Sequence, residues 1–282
     1  MTQTQQLLVT GATGTVGRQI VAELLARGHR VRALTRDAAR ARTLLPAGAE
    51  VVEGDLTEPD GTAGALEGVT GLHLITFGGA AFTPLRTGPR ILELARAAGV
   101  RRITVLHGGG PTPLEDAVRA DDAVDCTVLM PVEFMSNALE WADGIAATGE
   151  VREPFVDRLS AMVHESDIGA VAAVALTEEG HGGREYVITG PEVLTLGDKV
   201  KTLAEAAGRE IALVELTEEQ AVEHWRASGL PEDVVGFLLM AYGDTPEVGR
   251  TVSGTVEEVT GRPARTFAQW AAEHADAFRE RP

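Results

Sequence analysis

The sequence predicts an α/β fold built on a doubly wound parallel sheet, and three features carry that reading. Short apolar runs alternate with amphipathic helical patterns through the first half of the chain. Those runs are apolar along their whole length, as strands covered on both faces must be. The first strand-to-helix junction carries glycines at three-residue spacing, Gly11, Gly14 and Gly17.

The first strand is expected at residues 7–9, and the helix after it shows Val16, Ile20, Val21, Leu24 and Leu25 at helical spacing, with Gly28 ending the pattern. Further strands are expected at residues 31–34, 51–52, 72–75, 103–106 and 126–130. Ile91, Leu92, Leu94 and Ala95 repeat the helical pattern before Gly99. After about residue 150 the alternation loosens, with strands expected at 161–163, 186–188 and 211–216. Helices are expected there at 196–207, 218–228, 233–242 and 267–278. The implied organisation is a sheet domain over 1–152 and a smaller C-terminal α/β region over 153–282 that covers the substrate. Parts of 160–190 are expected to return to the main sheet.

A chain of 282 residues that is 44% hydrophobic can bury a sizeable core. Its formal net charge of −17 repels phosphate backbones and anionic lipid, which argues against nucleic-acid and membrane-surface partners. An anionic cofactor must therefore be held by local devices. Cys126 is the one cysteine, so neither an intrachain disulfide nor a thiolate metal cluster is expected. His164, Glu165 and His181 lack companions at ligand spacing, and no metal is expected. The polar, uncharged start and the short apolar run after it do not resemble a secretory signal, and no run approaches the roughly 18 apolar residues of a membrane span. The expected location is cytoplasmic.

The segment from Leu7 to Arg18, L-L-V-T-G-A-T-G-T-V-G-R, sets the glycines between a buried strand and an amphipathic helix. Gly11 suits a tight turn, Gly14 a close approach of backbone to pyrophosphate, and Gly17 close packing of helix on strand. Thr13, Thr15 and Val16 lie in the turn and first helical turn, where free amides face phosphate oxygens. This is the dinucleotide-binding pattern of a Rossmann-type domain.

The end of the second strand discriminates between dinucleotides. Arg36 there can clamp the 2′-phosphate of NADP(H) through a bidentate fork, and the expected cofactor is NADP(H). Asp37 is the alternative, an NAD-type acid or a cap for the following helix. Asp55, ending the third strand, can accept from the adenine amino group while Leu56 covers the ring. Thr76, Phe77, Gly78 and Gly79 follow the fourth strand with small residues and an aromatic wall where the cofactor crosses the sheet edge.

With the segments Pro131-Val132-Glu133-Phe134-Met135-Ser136-Asn137, Asp167-Ile168-Gly169-Ala170 and Tyr186-Val187-Ile188-Thr189-Gly190-Pro191-Glu192, the chain resembles the NmrA-like branch of the atypical short-chain dehydrogenases/reductases over nearly its whole length. The resemblance implies a Rossmann domain, a small C-terminal substrate region and NADP(H) preference. Members include quinone and dye reductases, and also regulators that bind cofactor without turnover. The chain departs from the family at Met130, where an arginine before the proline is common.

Ordinary short-chain dehydrogenases use a tyrosine four residues before a lysine. Tyr186 is followed at that spacing by Gly190 and Tyr242 by Pro246, while the only lysines are Lys199 and Lys201, so that pair is excluded. His107 follows the strand at 103–106, where related enzymes place a residue that touches the substrate carbonyl. It is the candidate catalytic residue, able to hydrogen-bond an oxygen or donate a proton, or else simply to cap the strand. Gly108 beside it leaves space for a flat ring. Pro131, Glu133 and Phe134 are expected near the nicotinamide, and Met135, Asn137 and Trp141 around the substrate, although aromatic and methionine side chains at such spacing also suit a core. The expected activity is NADPH-dependent reduction of a quinone or another conjugated, apolar carbonyl compound. An NADP(H)-sensing regulator with a protein partner, and a non-redox isomerase or cyclase, are the alternatives, and monomer and homodimer both remain open.

Overall fold

The computed structural model describes residues 4–78, 83–110, 112–120 and 123–279, so Gly79 lies outside the described residues. In chain order the elements are β1 (Gln6–Val9), α1 (Thr15–Ala26), β2 (Arg30–Thr35), α2 (Ala38–Leu44), β3 (Glu50–Glu53), β4 (Gly71–Ile75), β5 (Phe77–Gly78), β6 (Thr83–Pro84), α3 (Gly88–Ala97), β7 (Arg102–Leu106), α4 (Pro113–Arg119) and β8 (Asp125–Pro131). They continue with α5 (Ala142–Thr148), β9 (Glu150–Glu153), α6 (Glu165–Thr177), β10 (Glu185–Ile188), α7 (Leu196–Ala207), β11 (Ala212–Glu215), α8 (Glu218–Ala227), α9 (Glu232–Gly243), α10 (Thr255–Thr260) and α11 (Phe267–Glu273).

The chain divides into two compact units, one of Met1–Pro131, Glu165–Ile188 and Thr255–Arg262, the other of Val132–His164, Thr189–Gly254 and Pro263–Pro282. The first unit holds a seven-stranded parallel sheet in the order β3-β2-β1-β4-β7-β8-β10, a Rossmann-like α/β fold. The order reverses between β1 and β4, which pair with Leu8 opposite Leu72. Every residue of β1 is buried, so the sheet is covered on both faces at its centre. Leu8, Leu72, Leu74, Ile103 and Val105 join one core with Ile91, Leu92 and Leu114 of α3 and α4.

On α6, eleven of thirteen residues are buried. A helix buried on nearly every side shows no amphipathic stripe, which is why periodicity does not mark it. It packs against α1 where Gly169 meets Gln19, a Cβ there falling 2.9 Å from the Gln19 carbonyl carbon. The strand β9 is hidden for the opposite reason: in E-V-R-E only Val151 is apolar, and the strand forms by pairing with β11 in the second unit.

The second unit begins at Val132 instead of near residue 153, because Met135, Ala138, Ile145 and Val151 share a core with Val200, Leu203, Phe267 and Trp270. The strand expected at 161–163 does not form: Val163 makes one isolated bridge to Phe134, with Val163 N–H donating to Glu133 O at 2.8 Å and Met135 N–H to Val163 O at 2.9 Å. The helix expected over 267–278 is broken at His274, after which Ala275–Ala277 form a 3-10 turn. Among the described residues no helix is long and apolar enough to cross a membrane.

His73 on β4 is fully buried, with Nδ1 2.8 Å from Thr104 Oγ1 on β7 and Nε2 without a hydrogen-bond partner among the described residues. Burial pushes its pKa down to about 3. An unfolded histidine titrates near 6.5, so below that pH the unfolded chain binds a proton that the fold refuses. Stability is therefore lost as pH falls from 6.5 toward 3, by about 2 kcal/mol at pH 5. Urea unfolding of the native protein and of His73→Gln above and below neutrality measures this: the variant should lose that part of the acid slope, and identical slopes would refute it.

Candidate active site

The carboxyl edge of the first unit is organised by the end of β1. Thr10 N–H donates to His73 O at 3.0 Å, and Ile75 N–H donates to Thr10 Oγ1 at 3.2 Å, joining β1 to β4 where the strand order reverses. Gly11 has φ +58°, and a Cβ there would lie 2.8 Å from Ile75 Cγ2, so conformation and space both demand glycine. At Gly17 a Cβ would stand 2.1 Å from Gly11 O, because the helix is folded directly against the turn. Gly14 is different: it is exposed, extended at φ −77° and ψ 173°, and its Cβ would meet only Gly11 O, at 3.2 Å.

Side chains of Asp37, Thr112, Thr195, Thr217 and Thr266 cap α2, α4, α7, α8 and α11. On α1 there is no side-chain cap, and its first turn holds no acidic residue. Its leading amides, over Thr15, Val16 and Gly17, have no intrahelical acceptor, and no side chain among the described residues caps them. Half-buried Thr13 and Thr15 flank exposed Gly14 at this terminus, and the donor set fits a pyrophosphate.

Arg36 is exposed just beyond β2. Asp37 is occupied: its Oδ1 accepts from Arg40 N–H at 2.9 Å and caps α2. Asp55 Oδ1 accepts from Thr57 N–H and Oγ1–H, both at 2.8 Å, and these bonds, with the charge of Arg36, hold its carboxyl below the usual range. Leu56 is buried in the sheet core, and its carbonyl accepts from Thr87 Oγ1 at 2.6 Å.

The ends of β4 and β7 converge. Thr76 is buried and its hydroxyl donates to Leu106 O at 3.3 Å, while Phe77 and Gly78 are half-buried. A Cβ at Gly108 would lie 2.0 Å from Phe77 Cε2 and 2.9 Å from Thr76 Oγ1, so glycine lets the two loops touch. His107 N–H donates to Leu129 O at 2.8 Å. The His107 Nδ1 bonds Glu115 Oε1 on α4, a carboxylate that sequence reasoning missed. Thr112-Pro113-Leu114-Glu115 is legible as a capping box with proline in the first turn, but that signal does not reveal what the second carboxyl oxygen touches.

Pro131 closes β8 in the first unit, and the remaining loop residues belong to the second unit. There Glu133 Oε2 accepts from Lys199 Nζ at 2.9 Å. Burial is the largest single influence on Glu133 and opposes its ionisation, but the Lys199 charge, hydrogen bonds from Ser160 and Lys199 and the Arg158 charge together lower the carboxyl's pKa. Lys199, fully buried, is thus spent on an ion pair that spacing did not announce. Met135 lies fully buried in the second core. Trp141 Nε1–H donates to Glu153 Oε1 at 2.8 Å, and Asn137 N–H to Phe134 O at 3.1 Å.

A parallel sheet with an open helix terminus at its point of reversal defines a dinucleotide-dependent class, and residues 11–119 match a family described as NAD(P)H-binding. The chain is 37% identical to a (4-alkanoyl-5-oxo-2,5-dihydrofuran-3-yl)methyl phosphate reductase of Streptomyces griseus subsp. griseus, over 96% of this chain and 99% of the relative. It is 34% identical to the NAD(P)H azoreductase of Xenophilus azovorans, over 96% and 99%. The crystal structure of an NADPH-dependent quinone oxidoreductase from Escherichia coli, complexed with NADPH, superposes with a TM-score of 0.78 at 24% identity, over 95% of this chain and 99% of that one. The chain belongs to the family of NAD(P)H-dependent reductases that contains the Streptomyces and Xenophilus relatives, and it is an NAD(P)H-dependent oxidoreductase.

Proposed function

We propose that this protein uses NADPH to reduce a quinone or another conjugated, apolar carbonyl compound, with His107 donating the proton. The observation that carries the reading is the position of His107 at the end of β7, beside exposed Gly108 and the Phe77 ring, on the carboxyl edge that also bears the Gly11–Gly17 turn. Bound NADPH supplies a hydride. Quinones and enones accept one readily, so the chain's task is to orient the acceptor and protonate the atom that gains the electron pair. Two relatives are named as a reductase of a (4-alkanoyl-5-oxo-2,5-dihydrofuran-3-yl)methyl phosphate and as an azoreductase, which supports an activated, unsaturated acceptor. Steady oxidation of NADPH with members of a quinone and enone panel is the expected result. Tight NADPH binding with no oxidation across the panel would favour a sensing role.

The preference for NADPH rests on Arg36, since Asp37 is engaged as a helix cap. Arg36→Ala should weaken NADPH by roughly ten- to a hundredfold, as loss of a charge-assisted bond costs about 1.5–3 kcal/mol, while NADH affinity hardly changes. Fluorescence titration with both cofactors measures this, and equal losses would refute the assignment.

A further inference from the structure

We propose that Glu115 is the positioning residue of this site: it fixes the proton of the neutral His107 ring on Nδ1 and so leaves Nε2 as the working nitrogen. The proposal deepens the reading of His107 as proton donor and rests on it only for its kinetic consequence.

Glu115 is fully buried, and both of its oxygens have partners. Oε2 accepts from Thr112 N–H at 2.9 Å and from Thr112 Oγ1–H at 2.9 Å. The same hydroxyl accepts from Glu115 N–H at 3.4 Å, so its single proton is committed to the carboxylate. Oε1 is left facing His107 Nδ1. An ionised carboxylate can only accept, so in this contact Nδ1–H donates and Oε1 accepts. Among the described residues no partner is bonded to His107 Nε2, and the His107 side chain keeps 19% of its surface exposed. The arrangement is a backbone-anchored histidine whose inner nitrogen is tied to a buried carboxylate and whose outer nitrogen has no bonded partner among the described residues.

The chemistry follows from that polarity. In the doubly protonated ring, Nδ1–H is neutralised by Glu115 and Nε2–H is the proton that leaves. It passes to the acceptor atom that gains an electron pair when hydride reaches the conjugated carbon. The ring is left neutral with its proton on Nδ1, the tautomer Glu115 already favours, and solvent restores the proton at Nε2.

Glu115→Gln inverts this polarity without removing the capping box, in which glutamine serves as well as glutamate. Thr112 still presents two donors, so the amide carbonyl must take the place of Oε2 and the NH2 must face His107 Nδ1. The neutral ring is then forced to carry its proton on Nε2, and the doubly protonated ring would set Nδ1–H against an N–H donor.

NMR of isotope-labelled histidine ring nitrogens in the full-length protein, with the His107 signal identified by its loss in His107→Ala, should show the proton on Nδ1 in the native protein and on Nε2 in Glu115→Gln. The same tautomer in both would overturn the proposal whatever the activity. For the kinetics, Glu115→Gln should lower kcat with a quinone by about ten- to a hundredfold with KM for NADPH unchanged, and should cost nothing further in a His107→Ala background. An equal loss in both backgrounds would mark Glu115 as structural and overturn its positioning role. A switched tautomer with full activity in both His107→Ala and Glu115→Gln would sustain the Glu115–His107 assignment and remove His107 from the proposed reaction.

Discussion

Gly14→Val is expected to abolish NADPH binding while the protein still folds, and Gly17→Ala to damage the fold itself. The two glycines stand three residues apart in one turn, yet they face different obstacles. At Gly14 the backbone is extended, a conformation open to any residue, and an added Cβ makes one tight contact, 3.2 Å to Gly11 O, which a shift of a few tenths of an ångström relieves. A valine there projects from an exposed position over the amides that begin α1. Filling that space should cost at least about a thousandfold in NADPH affinity, some 4 kcal/mol. At Gly17 the added atom would lie 2.1 Å from one backbone oxygen and 2.8 Å from the carbon bearing it, and neither can rotate away. Relief requires prising α1 from the β1 turn, at a cost of more than about 3 kcal/mol of folding stability. Calorimetric titration with NADPH and thermal melting separate the two. Native-like affinity in Gly14→Val would show that the turn is structural only, and an unshifted melting temperature in Gly17→Ala would show that the helix does not depend on this contact.

The legible parts of the molecule are those in which a local rule and the tertiary structure demand the same thing. Leu7, Leu8 and Val9 are apolar because both faces of β1 are covered, so a short apolar run suffices to place the strand. The helix at Leu196–Ala207 is bounded as expected because its apolar positions form one stripe and a capping threonine precedes it. Concealment had three physical sources. Helix α6 is buried all round, so no periodicity survives to mark it. The strand β9 is polar and exists only through its partner β11. The charged pairs Glu133–Lys199 and Glu115–His107 follow from distances in the fold, and sequence separation says nothing about either. The same limit applies at Met135: an apolar residue after β8 suits a pocket wall and a core alike, and packing with Phe267 and Trp270 is what the fold gives it.

His107→Ala should reduce kcat/KM for quinone reduction by about 10²–10⁴-fold if the imidazole is the general acid, with NADPH affinity nearly unchanged. The side chain is partly exposed and bonds Glu115, so its removal leaves the strand register of β7 intact, that register being set by pairing with β4 and β8. His107→Gln divides the two possible tasks of the ring. Glutamine can orient an acceptor oxygen through a hydrogen bond but cannot release a proton near neutrality. A role confined to orientation predicts that His107→Gln stays within roughly tenfold of the native protein, whereas proton transfer predicts that it falls as far as His107→Ala. Truncation also opens space beside exposed Gly108 and Gly109, so free imidazole in the buffer should restore part of the lost rate in His107→Ala and none in the native protein. Unchanged turnover in both variants would leave the acceptor to take its proton from water and would remove the histidine from the reaction.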